Sequence, residues 1–499
     1  MFNQRSRSKN MIRISVFSAL ASAFSIIVQF TYRTIFLLIL SKEYLGIEGL
    51  FSNVIQLLSL AELGIGTIIA YRLYKPLEEK KIEQVSAIMF FLKRIYLIIA
   101  VVITFSGLVL VPILKYLIKD TGEIPADVSL YIVYILFLSQ SVSSYFFTYK
   151  QIILVADQRG DLVAIYNTIS TLIKSIVQIA VLYITHDYQT VLFCSIFIGI
   201  LLNCLFSIYI DGIYKEIFAC KIPIASGLKK EIFHDLRATL CHKIGGVIST
   251  STDNLVLSAF VGLGKLGIYS NYILIIDAVK KIIIQALGNF TASVGNAFIQ
   301  MNSEQYYEFY EKMLVINFFF TDVTSICIVF MINPFIELWQ GKDMVFSFGE
   351  VMVIIICYYI NTIRLINISF TNAAGLYIKD MLRPIMEDII NLVISILLVI
   401  NYGMIGVFIG TIISHILTVG WREPLILYRY SFKRPVRRYW LLYMKNLGVV
   451  VISFIFIRSI FSYNVSNYFQ WIFHAFIIAV MTLGIIISFF YKNLKSWKR

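Results

Sequence analysis

Six basic residues stand inside the apolar runs of this 499-residue chain: Arg33, Lys174, Lys280, Lys281, Arg364 and Arg458. Five acidic residues join them: Glu62, Asp253, Asp277, Asp322 and Asp388. An ionisable group in hydrocarbon costs ~2.5–3.5 kcal/mol on insertion scales, so each needs a partner, a route to the interface or an aqueous cavity. Arg33 follows Gln29 by four positions, which puts both on one helix face. Arg33, Lys174 and Arg364, with Lys280 and Gln29, are expected to line one wet, electropositive cavity. Such a cavity suits an anionic substrate, for example one bearing phosphate. Asp253 and Glu62 are the candidates for coupling an ion or proton. Plainer readings stand beside these. Lys280, Lys281 and Arg458 have stems long enough to reach the interface, Asp277 and Lys281 are spaced to neutralise each other, and Glu62 has the position of a structural pair or cap.

These residues need elements that span a bilayer. Hydrophobic residues make up 59% of the chain and charged ones 14%, with a mean hydropathy of +0.80. A soluble domain is nearer half apolar and a quarter charged. Apolar runs of bilayer length predict an all-α polytopic membrane protein of about fourteen spans. The first six fall near residues 12–40, 48–72, 92–114, 128–148, 162–185 and 190–210. Six more fall near 244–262, 268–299, 313–336, 348–370, 384–401 and 404–428, and a last pair near 447–463 and 468–491. The first run has basic flanks and no small-residue cleavage site, so it reads as a span and not a removed signal. On this layout 32 Lys and Arg fall in alternate loops on the amino-terminal side and five in the opposite loops. That bias puts both termini in the cytoplasm.

The same layout limits function. The loops are too short for a catalytic domain, no GxxxxGK[ST] phosphate loop occurs, and the chain is expected not to be an enzyme. The net charge of +14 reads as loops facing anionic lipid, not as a nucleic-acid surface. Six cysteines and five histidines show no metal-ligand spacing, so neither a metal nor a cofactor is expected.

One short pattern occurs twice. Residues 44–53 read YLGIEGLFSN and residues 262–271 read GLGKLGIYSN. Gly46, Gly49 and Asn53 correspond to Gly264, Gly267 and Asn271. The copies precede the second and eighth spans, which predicts two homologous six-span halves: an N-lobe over 1–210, a cytoplasmic linker over 211–243, a C-lobe over 244–428, and an added pair with a tail over 429–499. The glycines are expected to form a tight turn and let helices approach closely, with Ser52 and Asn53 capping the next helix. Two such halves around a central path are a common transporter plan.

The segment YLGIEGLFSNVIQLLSLAELGIGTIIAYRLYKPLEEKK, residues 44–81, resembles the amino-terminal signature of Wzx-like polysaccharide flippases. These belong to the multidrug/oligosaccharidyl-lipid/polysaccharide superfamily and are related to the MATE transporters. DNLVLSAFVGLGKLGIYSNY, residues 253–272, is consistent with it. The resemblance implies two six-helix lobes in a V-shaped arrangement, with spans thirteen and fourteen outside that core. It implies an undecaprenyl-pyrophosphate-linked oligosaccharide as substrate, carried from the inner to the outer leaflet for capsule, exopolysaccharide or O-antigen assembly. Expected partners are membrane lipid and the polysaccharide polymerase and co-polymerase. The same chemistry admits a peptidoglycan lipid-precursor flippase. A MATE-type antiporter of cationic drugs would require an acidic cavity, against the excess of intramembrane bases, and a membrane glycosyltransferase would require a larger external loop.

Overall fold

In the computed structural model residues 7–62, 64–220, 222–380, 382–460 and 465–496 are described, and among them the secondary structure is helical throughout. Their sequence dictates this. Leu, Ile and Phe fill runs longer than a bilayer core is thick, and a chain in lipid satisfies its backbone polar groups best by internal helical hydrogen bonds. Eleven helices among the described residues are long and apolar enough to cross a membrane. They coincide with eleven of the expected spans. The other three positions, the second, seventh and eighth spans, are also helical.

Contacts divide the chain into two compact units, Met1–Gly267 and Ile268–Arg499. The first unit holds α1 (Arg7–Ile39), α2 (Lys42–Leu58), α3 (Ile65–Glu78), α4 (Ile82–Leu110), α5 (Leu130–Thr148), α6 (Gln151–Ala156), α7 (Gly160–Thr185), α8 (Tyr188–Ile213), α9 (Lys215–Ala219) and α10 (Ser226–Phe260). α11 (Leu263–Gln300) begins in the first unit and continues in the second. The second unit continues with α12 (Ser303–Gln340), α13 (Phe348–Ile363), α14 (Leu365–Ala373), α15 (Arg383–Tyr402), α16 (Met404–Leu417) and α17 (Val419–Ile426). A π-helical turn at Leu427–Phe432 leads to α18 (Arg437–Ile460) and α19 (Tyr468–Ser496).

Two expectations change here. The 211–243 stretch is not a loop: it contains α9 and the first half of α10, a continuous 35-residue helix. α10 packs on α2, and the division at Gly267 places all of it with the first unit. The repeated motif is likewise not a turn. Residues 44–53 lie inside α2, which is reached from α1 through Leu40 and Ser41, with Ser41 as the N-cap residue. Asn53 therefore caps nothing; its Nδ2 donates back to the Gly49 carbonyl at 2.6 Å. The part of the reading that concerns close approach holds. A Cβ on Gly46 would lie 2.8 Å from the Leu263 carbonyl carbon, and one on Gly267 would overlap the Lys42 carbonyl.

Local chemistry fixes several helix ends. Glu123 accepts from the backbone N–H groups of Leu263 (2.5 Å) and Gly264 (3.1 Å), filling orphan donors at the start of α11 with a negative charge the helix dipole favours. Asn302 with Gln305, and Ser347 with Glu350, form reciprocal capping boxes at α12 and α13. Gly403 takes φ +55 between α15 and α16. Gly406 and Gly410 let the backbone of α16 press against Leu398 and Ser395 of α15, the small-residue contact that joins helices in lipid.

Candidate functional site

In the first unit, α1 and α7 pack along one another and carry the basic candidates. Arg33 and Glu48 both act electrostatically on the rings of Tyr32 and Tyr188. Tyr188 also meets Phe36 and Tyr44 edge-on, at centroid distances of 5.9 and 5.4 Å. Arg33 thus shares its corner with a carboxylate, and Gln29 is half-buried one turn earlier on the same helix.

Lys174 has different company. Its end lies along Gly199 of α8, where an added Cβ would be 3.0 Å from Cε and 3.1 Å from Nζ. It is half-buried, and among the described residues no carboxylate pairs with it. Two turns earlier on α7, Tyr166 donates to Asn203 Oδ1 at 2.6 Å and stacks on Phe206 with centroids 4.0 Å apart. Lys174, Asn203 and the Tyr166–Phe206 stack mark one seam between α7 and α8. An ammonium group gives charge-assisted hydrogen bonds to an anion, and the aromatic faces add apolar contact area.

The acidic candidates are held by neighbours. Glu62 closes a 3-10 turn, Ser59–Glu62, after which Gly64 in the left-handed region (φ +91) restarts the helix as α3. This is why the second span is broken. Tyr96 donates to Glu62 Oε1 at 3.0 Å. Asp253 is half-buried on α10, two positions from Ser251, which hydrogen-bonds Gln56 of α2 at 3.2 Å.

In the second unit Arg364 does not stand as an open cation. It sits at the α13–α14 junction with Glu423 of α17 as a bidentate partner: Nε lies 3.0 Å from Oε2, and Nη2 contacts Oε1. Arg383 reaches Asp380 (2.5 Å), Glu387 (3.1 Å) and Glu423 (3.1 Å), and Arg422 reaches Asp380 at 3.1 Å. His415 lies 2.9 Å from Glu387 through Nδ1 and 3.0 Å from Arg364 Nη1 through Nε2. A guanidinium can only donate, so Nε2 accepts and Nδ1–H faces Glu387. Three guanidinium groups meet three carboxylates, and the cluster is internally neutral with His415 uncharged. Arg364 was read as a cavity base because its partners lie 16 to 59 positions away. The i,i+3 and i,i+4 spacing of Asp380, Arg383 and Glu387 is the one sequence signal for the rest of the cluster.

Lys280 is half-buried on α11 and, with Lys281, acts on the Asp277 carboxylate. The Arg458 guanidinium lies 4.9 Å from the Phe348 ring centroid. Ser395, Asn391, Thr411 and the Val407 carbonyl form a polar knot between α15 and α16, with separations of 2.9–3.3 Å; sequence reading did not single it out. Among the described residues no group of three or more His, Cys, Asp or Glu could hold a metal ion.

A polytopic all-helical membrane protein with charged groups set into its spans is the class that these features define. No protein-family model matches the sequence, and no curated protein matches it. The likeness lies in the fold. The chain is similar to the lipid II flippase MurJ in an inward closed conformation, with TM-score 0.66 and 16% identity over 96% of this chain and 99% of that one. It is also similar to an inward-facing multidrug resistance MATE family transporter of the MOP superfamily: TM-score 0.60, 15% identity, over 84% of this chain and 96% of that one. A MOP superfamily transporter from Pyrococcus furiosus, described as having a binding pocket of reverse polarity, gives TM-score 0.56 and 15% identity over 86% of this chain and 97% of that one. At such identities the likeness establishes a MurJ/MATE-like fold.

Proposed function

We propose that this chain is a flippase. Its substrate would be an undecaprenyl-pyrophosphate-linked oligosaccharide, moved by alternating access from the inner to the outer leaflet of the bacterial cytoplasmic membrane for surface-polysaccharide assembly. Both termini face the cytoplasm, and polymerase and co-polymerase act on the product. The observation that carries this reading is Lys174, a lysine within a span that no described carboxylate neutralises. Such a charge is tolerated at that depth when it meets water or an anion. The diphosphate meets Lys174 and Arg33, Gln29 and the Tyr166–Phe206 seam serve the sugars, and the polyprenyl tail remains in lipid. Arg364 holds the second unit together and does not touch substrate. Asp253 and Glu62 are the candidate coupling sites.

The excess of intramembrane bases, with Lys174 lacking a described carboxylate, is what favours an anionic cargo over the cationic one of an antiporter. The MATE transporter of similar fold leaves about a sixth of this chain unmatched, whereas the MurJ likeness reaches 96% of it. A second reading, a peptidoglycan precursor as cargo, rests on the fold shared with the lipid II flippase. The test is reconstitution in liposomes with either lipid-linked substrate loaded on one leaflet. Transfer of the oligosaccharide lipid that falls in Lys174→Met and Arg33→Gln at normal insertion supports the proposal. Transfer of the peptidoglycan precursor alone supports the second reading. Unchanged transfer in both variants overturns the assignment of the site.

A further inference from the structure

Away from these residues, two cations of the second unit share one aromatic ring. Lys379 lies in the 3-10 turn Leu376–Asp380 that follows α14, and Arg429 and Tyr430 lie in the π-helical turn after α17. Lys379 Nζ stands 3.5 Å from the Tyr430 ring centroid, and Arg429 Cζ stands 5.6 Å from the same centroid. The two distances together keep the charges within about a Debye length of each other, ~10 Å at 0.1 M salt. All three side chains are exposed. The carboxylate beside Lys379 in the chain is committed elsewhere: Asp380 takes Arg383 on Oδ2 at 2.5 Å and Arg422 on Oδ1 at 3.1 Å. Among the described residues neither Lys379 nor Arg429 has an ion pair.

The local fold presents these groups outward. In the π-helical turn Leu427, Tyr428 and Phe432 are buried, which leaves Arg429 and Tyr430 on the surface; such turns are rare and are found frequently at functional sites. Two apolar stripes end at the pair. Leu382, Met386, Ile389 and Val393 recur at helical spacing along α15 and are all exposed, and so are Leu417, Trp421 and Leu425, four positions apart from the end of α16 through α17. Both stretches belong to segments long and apolar enough to cross a membrane, so the stripes are faces for lipid. The first leads up to Lys379, and the second leads up to Arg429 and Tyr430. In the orientation expected from the charge bias, this is the cytoplasmic end of both helices.

Two like charges on one ring repel each other. The ring face attracts each of them, but it does not neutralise them, and an anion shared by both adds the charge-assisted hydrogen bonds that the ring lacks. Apolar stripes leading to the cations select an anion that carries acyl chains. We propose that Lys379, Arg429 and Tyr430 form a site for the phosphate of an anionic glycerophospholipid, whose acyl chains lie along the stripes of α15 and α17. The ammonium acts as a point charge and the guanidinium as a fork on the phosphate oxygens, while the ring holds the two together. A zwitterionic phospholipid has the same phosphate but brings a cation of its own against them. The bound lipid ties the connection between α14 and α15 to the end of α17. This inference stands independently of the cargo proposed above.

The test uses the purified full-length protein in bilayers of phosphatidylcholine and phosphatidylglycerol, one of them dibrominated so that it quenches nearby tryptophan. Trp421 is the reporter: it is exposed on the α17 stripe, and its indole N–H donates to the Leu417 carbonyl at 2.9 Å. Its signal is the difference between each protein and the same protein carrying Trp421→Phe. The wild type should prefer phosphatidylglycerol at Trp421 by about fivefold per cation, the value of an interfacial Lys or Arg toward anionic lipid. Lys379→Gln and Arg429→Gln should each lose about one such factor, and the double variant should approach parity. The single variants are measured whether or not the double variant inserts. Lys433→Gln/Arg437→Gln removes two other exposed cations of the same segment and should keep the preference. Parity in the wild type, or an equal loss in Lys433→Gln/Arg437→Gln, would overturn the site. So would relief of quenching by inorganic phosphate, which marks a free-anion site, or relief by undecaprenyl phosphate that exceeds relief by unlabelled phosphatidylglycerol, which marks a polyprenyl-lipid site.

Discussion

Gly46 and Gly267, the first glycine of one motif copy and the second of the other, lie against each other: a Cβ on Gly267 would be 3.3 Å from the Gly46 backbone nitrogen. The resemblance between the two stretches thus has a mechanical meaning. Each copy supplies a helix surface bare enough for the other to cross at backbone distance.

Alanine at Gly46 or Gly267 is expected to destabilise the protein by about 1–3 kcal/mol, because the new methyl meets backbone that cannot move aside. Gly264→Ala is the control. There the nearest atom is the flexible Glu43 Oε1 at 3.4 Å, and alanine improves helix propensity by up to about 1 kcal/mol. Thermal unfolding in detergent should rank Gly264→Ala at or above wild type and the other two below it.

Lys174→Met keeps most of the side-chain volume and removes the charge. Loss of a charged hydrogen bond worth about 1.5–3 kcal/mol should lower headgroup transfer by about tenfold or more while the unfolding midpoint holds. Gly199→Val should also lower transfer, since its Cβ would stand within 3.1 Å of both Lys174 Cε and Nζ and must displace the amine. Transfer rates from liposomes, normalised to inserted protein, check both.

Glu423→Gln leaves Arg364 and Arg383 short of a buried counter-charge, and removing one partner of a buried pair costs about 3–5 kcal/mol. Membrane abundance and unfolding midpoint should both drop. The double variant Arg364→Met/Glu423→Leu should be less destabilised than the sum of its single changes, which a double-mutant cycle measures. A lone transport defect at full stability in Arg364→Met would instead return this residue to the substrate site.

Asp187 caps α8, accepting from the Gln189 N–H at 3.2 Å, the Thr190 N–H at 2.9 Å and the Thr190 hydroxyl. Burial pushes its carboxyl upward, but these hydrogen bonds outweigh burial and hold it below the usual aspartate range. A lowered folded-state value means that the stabilisation is present above the ordinary aspartate range near pH ~4 and is lost as pH falls through the folded value. Asp187→Ala should cost about 1 kcal/mol at neutral pH, and the difference from wild type should shrink in acid. Unfolding midpoints across an acid series check this.

The sequence alone determined much of this protein. Runs of Leu, Ile and Phe as long as a bilayer is thick admit only helices, so the helical class and the span positions were legible without coordinates. The doubled glycine motif announced a close helix crossing, because only glycine lets backbones meet at that distance. Tertiary structure decided the rest. Whether a charge in a span is free or matched depends on groups far apart in the chain: Glu423 lies 59 positions from Arg364, and Asn446 lies 124 from Asp322. Periodicity reports the face a residue occupies on its own helix and nothing of what the next helix brings to it. Lys174, Arg364 and Asp322 look alike in the sequence. Packing leaves the first without a described carboxylate, closes the second in a neutral cluster, and sets the third against the Asn446 amide.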